Sequence, residues 1–137
     1  MIPYGTAVAV DLPFDVAVER VKSFLSDEGF GVLCDVDVSK TLREKTGTDF
    51  RPYRILGACN PAFALASLSM EPHLGLLLPC NVAVQSLNGQ TIVSAIDSRS
   101  LLSIVGNPQL EAVAEDVNAR LARALERLAE REAPATL

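Results

Sequence analysis

A chain of 137 residues, 49% of them hydrophobic, has the size and apolar content of one globular domain, which excludes intrinsic disorder and any need for a disulfide or structural metal to hold the core. A formal net charge of −5 argues against nucleic acid and anionic membranes as partners, because both call for a basic surface. No stretch reaches the roughly 20 apolar residues of a membrane span, since the longest, Leu74 to Val84, is broken by Pro79 and Asn81.

The opening MIPYGTAVAV lacks the basic and long apolar regions of a secretory signal, so a cytoplasmic protein is expected. Three cysteines, an odd number, suggest no disulfide framework. Thr6 to Val10 is predicted to be a short strand ended by Asp11 and Pro13. Phe14, Val18, Val21 and Leu25 then fall on one face of a helix, and Gly29 stands where a helix-ending glycine belongs. Phe30 to Val38 predicts a strand with Val32, Cys34, Val36 and Val38 on one side and Asp35 and Asp37 on the other, wet side.

Ser39 to Thr46 predicts a short polar helical turn, capped by Ser39 and closed at Gly47. Tyr53 to Cys59 follows as a strand. Asn60-Pro61 is a helix start, because proline at the first helical position gives up an N–H that has no partner there; the short helix runs to Leu68. Cys80 to Leu87 and Gln90 to Ile96 flank Asn88-Gly89, a strong hairpin signal. Asn107-Pro108 repeats the cap-and-proline device. From there Leu110, Val113, Val117, Leu121, Leu125 and Leu128 form an apolar stripe to about Arg131, long enough to cross a sheet. The expected fold is therefore α+β in the order β-α-β-β-α-β-β-α. A curved antiparallel sheet of about five strands packs on the long C-terminal helix and the N-terminal helix, with residues 1–137 one domain and 133–137 a frayed tail.

The segments DFRPYRILGACNP at Asp49 to Pro61, GLLLPCNVAV at Gly75 to Val84 and SAIDS at Ser94 to Ser98 resemble a bacterial and archaeal family known as domain of unknown function 302. PFDVAVERVKSFLSDEGFGVL and VGNPQLEAVA are similar as well, so the likeness covers about Val8 to Leu128. The resemblance implies a curved antiparallel sheet backed by a long C-terminal helix, often dimeric. It transfers no functional residue, because the family's biochemical role is unassigned.

Cys59 and Cys80 each precede an asparagine, and Cys59 sits just ahead of a helix start, where the helix dipole favours thiolate. They are candidates for a ligand site or a reactive pair near Arg51 or Tyr53, with Cys34 elsewhere; the plainer reading, and the commoner fate of a free cysteine, is that both are small buried hydrophobes. Adding His73 gives three potential metal ligands, but without zinc-type spacing, and no metal or other cofactor is assigned. His73 also suits an exposed loop. Arg51 and Tyr53 point to the same side of an extended segment, a candidate clamp for a small anionic ligand. The bland alternative is that Arg51 and Arg54 pair with Asp49, Glu44 or the last helix. No catalytic constellation emerges, so a non-enzymatic small-ligand-binding or accessory domain is the first reading. The second is a thiol-dependent redox or metal-handling protein using Cys59 and Cys80. A homodimer is expected from the resemblance and from sheet edges free of Pro and Lys.

Overall fold

The computed structural model describes residues 2–133, so all but the first residue of the expected 133–137 tail lies outside the described residues. Five strands, β1 (Gly5–Val10), β2 (Gly31–Asp37), β3 (Tyr53–Cys59), β4 (Cys80–Leu87) and β5 (Gln90–Ile96), form one curved antiparallel sheet in the order β1-β5-β4-β3-β2. Asn88 and Gly89, both at positive φ (52° and 79°), make the β4–β5 hairpin as the Asn-Gly pair predicts. The expected α+β architecture is present.

Helices α1 (Phe14–Asp27) and α5 (Pro108–Arg131) cover one face of the sheet. On α5, Leu110, Val117, Leu121, Leu125 and Leu128 are all at most 1% exposed, the stripe the 3.6-residue period predicts. They meet Leu56, Ala58, Val82, Val84, Val93 and Ala95, alternate residues of β3, β4 and β5 that point to the same side. Asn60 and Asn107 cap α3 (Pro61–Met70) and α5 by accepting from Phe63 N and Gln109 N. Glu28, just past α1, accepts from Arg123 at 3.0–3.1 Å and ties the two covering helices together.

Three expectations need correction. A bulge between Val32 and Cys34 leaves Leu33 without a cross-strand partner and reverses the facing of the rest of β2. Cys34 and Val36 thus fall on the open side of the sheet. Asp35, expected to be wet, turns toward α1, where Lys22 Nζ lies 3.1 Å away. The helix after β2, α2 (Val38–Thr46), is capped by Asp37 rather than Ser39: Asp37 accepts from Lys40 N, and the Ser39 hydroxyl donates to the same carboxylate. A short helix, α4 (Ser98–Leu102), went unforeseen; Asp97, just past β5, accepts from the N–H groups of Arg99 and Ser100 to start it.

Candidate functional site

The helices leave the other face of the sheet open. Tyr53, Asn81, Ala83, Gln85, Ile92 and Ser94 alternate with the core residues of their strands and so share that face. With Tyr4 and Ile96 they line a shallow groove of about 480 Å³ in which, among the described residues, no charged side chain takes part. Beside it stands Arg51, which donates from Nε to Gln85 Oε1 at 2.9 Å. The Arg51 guanidinium also lies 4.4 Å from the Phe50 ring centre and 5.5 Å from that of Tyr53, within cation–π reach of both. Arg51 is thus braced and, among the described residues, makes no ion pair, contrary to the bland expectation; Arg54, on the opposite face, pairs with Asp35. Gln85 was missed in the sequence: it stands opposite Tyr53 through the β3–β4 register, which the β4–β5 hairpin does not set.

The cysteines lie at the far end of β3. Six residue steps separate Tyr53 from Cys59, roughly 20 Å at strand spacing, so Cys59 and Cys80 are not beside Arg51 or Tyr53. Nor do Cys59 and Cys80 face each other. Ala58 is the partner of Cys80 in the ladder, and Cys59, one place along, emerges on the other side of the pleat. Cys80 is buried in the core with its sulfur 3.6 Å from Ser98 Oγ, and burial pushes its thiol pKa up. Cys34, expected elsewhere, sits opposite Gly57 near this same end, exposed, with its sulfur in the space a side chain at Gly57 would need. All three thiols are free.

His73 is an exposed residue just before a 3₁₀ turn, Leu74–Leu77. It does not join the cysteines: among the described residues no group of three or more His, Cys, Asp or Glu could hold a metal ion. Also among the described residues, no helix is long and apolar enough to cross a membrane. Around the cysteines there is instead a second, more enclosed cleft of about 270 Å³, bounded by Leu33, Cys59, Phe63, Leu68, Pro79 and Cys80.

A crystal structure of an uncharacterized conserved protein DUF302 from Bacillus stearothermophilus is similar to this chain at 34% identity and a TM-score of 0.86, over 93% of this chain and 99% of that one. No curated protein matches. Residues 6–128 match the family described as Domain of unknown function DUF302. The chain therefore belongs to the DUF302 family, as its DFRPYRILGACNP and GLLLPCNVAV segments suggested.

Proposed function

We propose that the protein is a non-enzymatic domain that binds a small anionic ligand with an apolar body on the open face of its sheet. The observation that carries this reading is the bracing of Arg51 by Gln85, Phe50 and Tyr53 at the rim of a charge-free groove. The volume of the groove falls in the range of about 300–1,000 Å³ typical of small-molecule sites. With Nε held by Gln85, the two terminal nitrogens of the guanidinium are left to take a carboxylate or phosphate oxygen. The apolar part of the ligand would lie along Ala83, Ile92 and Ile96.

A homodimer belongs to the same proposal. β1 and β2 are the sheet edges, and the β1 edge is partly occupied by the Ile2–Gly5 bridge and the Asp11 N–H to Glu132 carbonyl bond. β2 carries no Pro or Lys and leaves Val36 44% exposed; its bulge would confine pairing with a second copy to the segment from Cys34 to Asp37. Edge pairing would keep the groove open in both subunits. Light scattering at micromolar concentration tests it, with twice the monomer mass expected and the monomer mass alone contradicting it.

Calorimetric titration with octanoate, an anion with an apolar tail, tests the ligand reading. One site per chain is expected, weakened about tenfold or more in R51Q, since a charge-assisted hydrogen bond contributes about 1.5–3 kcal/mol. Equal affinity in R51Q would contradict it.

A further inference from the structure

We infer that the cleft beneath α3 is a second ligand site, one that takes a neutral, ring-sized apolar molecule. Its walls include Phe63, Ala64 and Leu68 on α3, Pro79 from the segment before β4, Leu33 from β2 and Cys59 at the end of β3. Leu33 is there because of the bulge. As the extra residue in β2 it has no cross-strand partner, and it lines the cleft instead of continuing the alternation of the strand. At the mouth, Leu33 and Leu68 are 71% and 40% exposed, apolar surface that an occupant would cover.

The charge pattern selects that occupant. Among the described residues, no carboxylate, ammonium or guanidinium lines the cleft. Asn60, the one amide, already spends its carbonyl oxygen on Phe63 N at 3.1 Å. The Cys80 thiol is held against Ser98 Oγ. A charged ligand would lose its hydration here and gain no counter-charge, a cost the site cannot offset. Size narrows the class further. An apolar cavity of about 150 Å³ holds benzene, so about 270 Å³ admits one or two fused rings. The Phe63 ring in the wall is a favourable neighbour for an aromatic face or edge.

The test is a titration of the ¹⁵N-labelled protein with 2-naphthol, and separately with 2-naphthoate, followed by amide shifts. Saturable shifts at Leu33, Cys59, Phe63 and Leu68 are expected with 2-naphthol, and at least tenfold weaker binding at these amides with the anion. A64F, which fills the cleft, should lower 2-naphthol affinity at least tenfold and leave the Tyr53 and Gln85 amides in place. Shifts confined to the open face, equal binding of the two probes at the cleft, or unaltered affinity in A64F would overturn the inference. Should A64F fail to fold, the comparison of the two probes on the unsubstituted protein decides it.

Discussion

Asp35 and Arg54 form a two-pronged ion pair across β2 and β3, on the helix-covered side of the sheet: Arg54 Nε donates to Oδ1 at 2.6 Å and a terminal nitrogen to Oδ2. Although β2 is an edge strand with an open backbone, the two side chains are only 22% and 26% exposed. The Arg54 guanidinium, with help from Lys22, holds the Asp35 carboxyl below its ordinary value. Stability from a depressed carboxyl is present above its unfolded pKa of about 3.9 and is lost as pH falls through the lower folded value. Asp35→Asn should therefore cost about 1–2 kcal/mol in urea unfolding at pH 7. The gap from the unsubstituted protein should shrink below about pH 4. A gap that does not change with pH would show that Asp35 acts through shape and not charge.

Leu121 is 1% exposed at the centre of the α5 stripe. Replacing it with Ala should cost about 2–5 kcal/mol, measured by urea unfolding. A loss well under 1 kcal/mol would be inconsistent with α5 as the main cover of the sheet.

Gly57 is buried in β3 with no room for a side chain. A Cβ there would strike Cys34 Sγ and lie 2.6 Å from Pro79 Cγ. The exposed Cys34 thiol can turn away, but the proline ring is stiff. Gly57→Ala should thus destabilise by about 1–3 kcal/mol, the usual cost of overpacking, and adding Cys34→Ala should recover only part of it. Full recovery in the double variant would show that Pro79 yields.

Thiol labelling separates the cysteines by position. Exposed Cys34 should react first in the native protein, whereas Cys80, buried and with its pKa raised, should react only on unfolding. Fast native labelling of Cys80 would show that this end of the sheet opens readily.

Much of the fold was legible because its signals are local. The Asn-Pro caps, the Asn88-Gly89 turn and the α5 stripe each name their structure within a few residues. The bulge at Leu33 left no such mark, since one extra residue in an apolar strand changes the pairing without changing the composition. That single residue reversed the facing of Cys34, Asp35 and Val36. Arg51 and Tyr53 could be placed on one side by strand parity, yet Gln85 entered only through the β3–β4 register, which no local pattern records. The cysteines misled because similar dipeptides, Cys59-Asn60 and Cys80-Asn81, suggested kinship, while the register offsets them by one residue and so by one face.

The most direct test of ligand binding at the open face is an amide-shift map of the ¹⁵N-labelled protein titrated with octanoate. Binding there predicts saturable shifts clustered at Arg51, Tyr53, Gln85, Ile92 and Ser94, and their loss in R51Q. Shifts clustered instead on α1 and α5, or none that saturate, would contradict it.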